Sequence, residues 1–176
     1  MSAKGIRDID VIRTFVLQGT LNFTRYFFKI RQKRKFVIGK HHREIAAALD
    51  KVLCGEITRL IINIAPRYGK TELAVKNFIA EGLAINPKAK FIHLSYSDDL
   101  ARDNSRGVQD IINEPEYRRI FPATIPTSTN TKKWYTTEGG GLYAVSSAGQ
   151  VTGFGAGLVD EEENDELAKK LKNLMG

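Results

Sequence analysis

One continuous stretch in the middle of the chain constrains the fold more than any other feature. Ile57-Thr-Arg-Leu-Ile-Ile-Asn-Ile64 is a short apolar run rich in β-branched residues, which reads as a strand buried in a parallel sheet. It leads through Ala65-Pro-Arg-Tyr-Gly-Lys-Thr71 into a helical pattern carrying Ala74, Val75, Phe78, Ile79, Gly82 and Leu83. Strand, tight loop and helix in this order suit the binding of a triphosphate. Several backbone N–H groups must converge on oxygens, a cation must offset charge, and a hydroxyl must reach magnesium. A loop opening onto a helix N-terminus supplies the donors and a favourable dipole. Gly69 allows close backbone approach, Lys70 would reach the β/γ-phosphates, and the Thr71 hydroxyl would ligate Mg2+, with Glu72 next in the candidate nucleotide site. The strict phosphate-loop pattern is not met, because Ile64 stands at its first glycine position. A Gly-Lys-Thr triplet alone is weak evidence, and an ordinary strand–turn–helix connection is the competing reading.

The surrounding pattern predicts an α/β fold. Residues 8–35 read as helix, with Phe23, Tyr26, Phe27 and Ile30 forming an aromatic stripe whose spacing favours core packing. A second helix is expected from His41 to Leu53, stopped at Gly55. After the loop helix, Asn86-Pro87 forces a break, because the residue before proline is pushed out of the α region. Lys90-Phe-Ile-His-Leu-Ser95 reads as a second strand. Ser97 caps the next helix, with Asp98 and Asp99 in its first turn, and that helix runs to about Asn113. Trp134–Thr137, Gly139-Gly-Gly141 and Leu142–Ser146 read as a hairpin, and residues 160–175 as an acidic amphipathic helix. The expected architecture is a P-loop NTPase-type, mostly parallel sheet with flanking helices, an N-terminal helical segment, and a C-terminal hairpin plus acidic helix. The divisions are 1–56, helical; 57–157, the nucleotide-binding core; and 158–176, the acidic tail.

Charge narrows the partners. The net charge is +7, yet residues 158–176 hold six acids against three bases, so the remainder carries +10. From Arg25 to Arg43 there are eight Lys or Arg residues and no acid, a block that favours polyanions and above all nucleic acid. A solvated basic helix face is the plainer alternative. The single cysteine, Cys54, excludes an intramolecular disulfide, and His41, His42 and His93 do not have zinc-site spacing. No apolar run is long enough for a membrane span, and the first residues lack signal-peptide order, so the chain reads as cytoplasmic.

Ile62-Asn-Ile-Ala-Pro-Arg-Tyr-Gly-Lys-Thr-Glu-Leu73 resembles the shortened Walker A loop of bacteriophage terminase large subunits, the ATP-driven DNA-packaging motors. His41–Leu60, Phe91–Ala101, Tyr117–Pro122, Trp134 and Val151-Thr-Gly-Phe-Gly-Ala-Gly157 follow in that family's order, so the resemblance covers roughly residues 10–157. It implies ATP and Mg2+ as cofactors. It also implies double-stranded DNA as substrate, a small terminase subunit and a portal or procapsid as partners, and possible self-assembly, all in the host cytoplasm. Arg67 stands where these motors keep a loop arginine that touches the γ-phosphate. Ser95-Tyr-Ser97 resembles a helicase-type motif that contacts DNA, although plain helix capping explains it equally well. His41 and His42 lie where the family approaches adenine, and otherwise read as surface residues of a helix start.

Two departures from the family pattern matter for chemistry. Hydrolysis needs an Asp to hold magnesium through water and a Glu to orient the attacking water, normally at the end of an apolar strand. Here Gly157 is followed only by Leu158-Val159 before Asp160-Glu-Glu-Glu163. Asp160, as metal and catalytic acid, and Glu161 are the candidates, and a solvated acidic helix start is the reading they must displace. Asp103, Asp110 and Glu138 are the next acids to consider. The nuclease half of such motors has no counterpart here, so the chain reads as a truncated motor half, a prophage remnant or a frame-interrupted gene, with impaired hydrolysis. A small helicase-like DNA-dependent ATPase and a non-enzymatic DNA-binding remnant are the alternatives.

Overall fold

The computed structural model describes residues 8–147; the expected acidic helix at 160–175, the glycine-rich stretch to Gly157, and Asp160 and Glu161 lie outside that range. Three helices open the chain: α1 (Asp8–Val16), α2 (Thr20–Gln32) and α3 (Lys40–Leu53). The single helix expected over residues 8–35 is therefore two, divided at Gly19, whose φ of 156° departs from helical geometry. Helix α3 ends as expected, with Gly55 in the left-handed conformation. After the loop comes a π-helical turn (Glu72–Asn77) continuing directly into α4 (Phe78–Ile85). The remainder is β1 (Lys90–Ser95), α5 (Asp98–Asn113), α6 (Pro115–Ile120), β2 (Lys133–Tyr135) and β3 (Gly141–Ser146).

The described sheet is small and mixed, with strand order β1-β3-β2. Strands β1 and β3 run parallel, pairing Phe91 with Leu142 and Ser95 with Ser146. The hairpin partner β2 is antiparallel to β3, with Trp134 opposite Leu142. Glycine is required at the hairpin, because a Cβ at Gly140 would run into the carbonyls of Pro87 and Ala89. Ser97 accepts a hydrogen bond from the Leu100 N–H at 3.2 Å, which is the expected cap of α5.

One expectation fails here. Residues 57–64 belong to no strand among the described residues, and the phosphate-type loop is not fed by a sheet. A strand is stabilised by a hydrogen-bonded neighbour as well as by its own composition, and this run has none in the described sheet. Ile61 is 87% exposed, whereas Leu60, Ile62 and Ile64 are partly covered, so the run lies against the body with one side only. What stands is a mixed α/β fold with a three-stranded sheet and helices packed on it.

The aromatic stripe is core. Phe23 and Phe27 are fully buried and meet Tyr117 and Phe121 in a cluster of rings with centroids 4.6–6.5 Å apart. Leu83, Ile111, Ile112, Ile120 and Trp134 complete this core, with the Trp134 indole donating to Ser105 Oγ at 2.9 Å. The Tyr117 hydroxyl donates to the Ala80 carbonyl at 2.8 Å, tying α6 to α4.

Beside this cluster sits a costly group. Glu81 on α4 is 1% exposed, and its Oε2, Thr20 Oγ1 and Thr24 Oγ1 all lack hydrogen-bond partners. Burial raises the Glu81 carboxyl well above its ordinary value; the Thr20 hydroxyl opposes this in part and the Asp50 carboxylate reinforces it, so the neutral acid is favoured. In the unfolded chain Glu81 ionises near 4.5, so the folded state binds the extra proton above that pH. Stability from this group is therefore complete at acid pH and falls as pH rises from about 4.5 toward the raised folded value. Glu81→Leu is expected to raise stability at neutral pH by about 1–3 kcal/mol and to flatten its fall with pH, as read in urea unfolding at several pH values.

Candidate phosphate-binding site

The loop's shape comes from two left-handed residues separated by one. Arg67 has φ 69° and Gly69 has φ 76°, so the backbone reverses sharply twice before helical structure begins at Lys70. The first N–H groups of a helix have no intrahelical partner, and alternation of left- and right-handed residues turns successive N–H groups toward one concavity. Helical backbone then runs without a break from Lys70 through the π turn to Ile85. Arg67, Tyr68, Lys70 and Thr71 are exposed, so a cation, a hydroxyl and the helix N-terminus face solvent together.

Gly69 is needed for space as well as for its torsion. A Cβ there would stand 2.8 Å from His42 Nε2 and 3.5 Å from the Phe36 ring. His42 is the loop's anchor. Its Nδ1 accepts the Gly39 N–H at 2.9 Å, which places the ring proton on Nε2. Nε2 lies 2.9 Å from the Tyr68 carbonyl, to which it donates, and 3.2 Å from His41 Nε2. Helix α3 thus holds the loop through one imidazole that is 7% exposed, rather than presenting a surface histidine pair. Phe36 packs edge-on to the His42 ring with centroids 4.9 Å apart and fixes its plane.

Burial, then the neighbouring His41, holds the His42 pKa below its ordinary 6.5, and the Tyr68 carbonyl opposes this only in part. The anchor is intact above pH 6.5 and is lost as pH falls through the depressed value, because protonated Nδ1 can no longer accept from Gly39. His42→Ala is expected to weaken nucleotide binding at pH 7.5 about tenfold, the scale of one lost hydrogen bond. It should also remove the acid-side decline in affinity, which calorimetric titration across pH would display.

Behind the loop lies a second support. Arg31 on α2 and Glu72 form an ion pair at 2.8 Å with side chains only 9% and 18% exposed. Asn77 Nδ2 donates to the Glu72 carbonyl at 2.8 Å and to its Oε1 at 3.0 Å. The Glu72 carboxylate is thus turned inward, and Arg31 is withdrawn from the basic block. The π turn places Glu72 and Asn77 where these bonds close, and π turns recur at functional sites. Neither the π turn nor the His42 anchor has a sequence signal of its own; only Gly39, three residues before His42, hints at the latter. Of the candidate residues, the structure gathers Arg67, Gly69, Lys70, Thr71 and Glu72 in one loop and its helix start. Asp160 and Glu161 lie outside the described residues. Asp103 and Asp110 are on α5, and Glu138 is in the β2–β3 turn. Against family models, curated proteins and solved structures, the chain has no match.

Proposed function

We propose that the chain binds Mg-ATP at residues 65–71, as the nucleotide-binding part of a DNA motor resembling terminase large subunits. The observation that carries this reading is the loop itself. Arg67 and Gly69 take left-handed torsions directly before a helix whose first exposed residues are Lys70 and Thr71. Lys70 would face the β/γ-phosphates, Thr71 Oγ1 would ligate Mg2+, and Arg67 would stand over the γ-phosphate. Magnesium would supply charge neutralisation across the β- and γ-oxygens; the chain's own part is to orient phosphate with backbone N–H groups held rigid by His42 and Arg31.

Binding and turnover are separable, because hydrolysis also needs a positioned water. Asp160 and Glu161 follow only two apolar residues after Gly157, too few for a buried strand to carry them. Turnover near background is therefore expected even with double-stranded DNA present, alongside measurable Mg-ATP binding. A steady-state phosphate-release assay with and without DNA decides this. DNA-stimulated hydrolysis that disappears in Glu161→Gln would favour the second reading, a small helicase-like ATPase.

A further inference from the structure

Adjoining the phosphate loop, with which it shares Phe36 but not Lys70, a half-open cleft of about 240 Å³ is lined by Phe15, Arg25, Tyr26, Lys29, Lys35 and Phe36. Three cations and three aromatic rings therefore share one concavity with no acid in its wall. Arg25, Lys29 and Lys35 are exposed and make no hydrogen bond or ion pair among the described residues. Arg31, by contrast, is spent on Glu72, and Arg34 lies over the Phe28 ring at 5.7 Å. The rings are held in place before any ligand arrives. Tyr26 stands edge-on to Phe27 at 5.2 Å and its hydroxyl donates to Glu116 at 2.7 Å. Glu116 is also bridged by Arg119, so the acid that holds the Tyr26 hydroxyl is itself already paired. Phe36 is fixed edge-on against Phe28 and His42. Phe15 is 42% exposed, a large apolar ring left open beside three uncompensated charges.

We propose that this cleft seats one unstacked nucleotide of a single-stranded nucleic acid. The base lies against the Phe15 and Phe36 side, and the adjoining phosphates rest on Arg25, Lys29 and Lys35. Single-strand sites combine these two elements, a cationic track for phosphate and an aromatic platform for the base. A duplex keeps its base faces in its own stack and would use the cations alone. An anionic lipid surface would be met by protruding apolar side chains, whereas these rings line a recess.

The test is fluorescence anisotropy of the full chain with a labelled oligothymidylate and with a duplex of equal length. The single strand should bind more tightly. Phe15→Ala and Phe15→Leu should each weaken it about 5- to 150-fold, the worth of one base–aromatic stack. The leucine variant retains apolar bulk, so its loss reports stacking rather than packing. Lys29→Gln and Lys35→Gln should each flatten the slope of log affinity against log salt by about 0.7. Lys70→Ala should change nothing, which separates this site from nucleotide binding at the loop. The proposal is overturned if the duplex binds equally well, if Phe15→Leu binds as the unaltered chain does, or if Lys70→Ala weakens the single strand. It is equally overturned if phosphatidylserine vesicles bind with the same dependence on Phe15.

Discussion

Lys70→Ala is expected to abolish Mg-ATP binding at working concentrations while leaving the fold intact. Lys70 is exposed at the first helical position, so its removal leaves no cavity and breaks none of the hydrogen bonds or ion pairs seen among the described residues. What the variant loses is the loop's main cation toward the β/γ-phosphates. A hydrogen bond to a charged group contributes up to about 3 kcal/mol, so affinity should fall roughly 100-fold or more. Titration with a fluorescent ATP analogue measures the loss, and circular dichroism checks that the fold is retained. Unchanged affinity would remove the phosphate-loop assignment, whatever the structure of the loop.

The second large effect concerns Arg31. Its guanidinium meets Glu72 at 2.8 Å where both side chains are largely buried, and no other cation is seen to contact that carboxylate among the described residues. Arg31→Met leaves an unpaired carboxylate beneath the loop helix, with only the Asn77 amide as partner. Breaking one side of such a pair costs about 3–5 kcal/mol. Replacing both members costs far less, so the double variant Arg31→Met, Glu72→Met should recover most of the loss. Urea unfolding midpoints of the two single variants and the double variant close this cycle. If Arg31→Met unfolds at the same urea concentration as the unaltered chain, the pair is no structural support. The basic character of residues 25–43 therefore serves two ends: Arg31 holds the fold, whereas Arg25, Lys29 and Lys35 remain open to solvent.

How far the sequence could be read depended on whether an element is specified by its own residues or by a distant partner. Helix α5 was legible because Ser97, Asp98 and Asp99 mark its start locally, and the β2–β3 hairpin because Gly139–Gly141 separates two short runs rich in strand-forming residues. Residues 57–64 carried a strong strand composition, yet composition cannot supply the neighbouring backbone a strand must pair with. Gly19 divides a segment that read as one helix over residues 8–35, because the stripe Phe23, Tyr26, Phe27 and Ile30 lies wholly after the break and carries no information about it. At the candidate site, Gly69, Lys70 and Thr71 were visible as a local triplet. His42 and Arg31 act across 26 and 41 positions, through contacts that only the fold brings together. Nothing local in the sequence marks Glu81, a charged residue on a helix, as wholly buried.

The central claim is that the loop at residues 65–71 is a phosphate site. Calorimetric titration of the full chain with ATP, ADP and AMP, each with Mg2+, tests it most directly. The expected result is saturable binding of ATP and ADP at one site, with AMP bound far more weakly because Lys70 and Thr71 then lack their β-phosphate. Equal affinity for all three nucleotides, or no saturable binding of ATP, would contradict it.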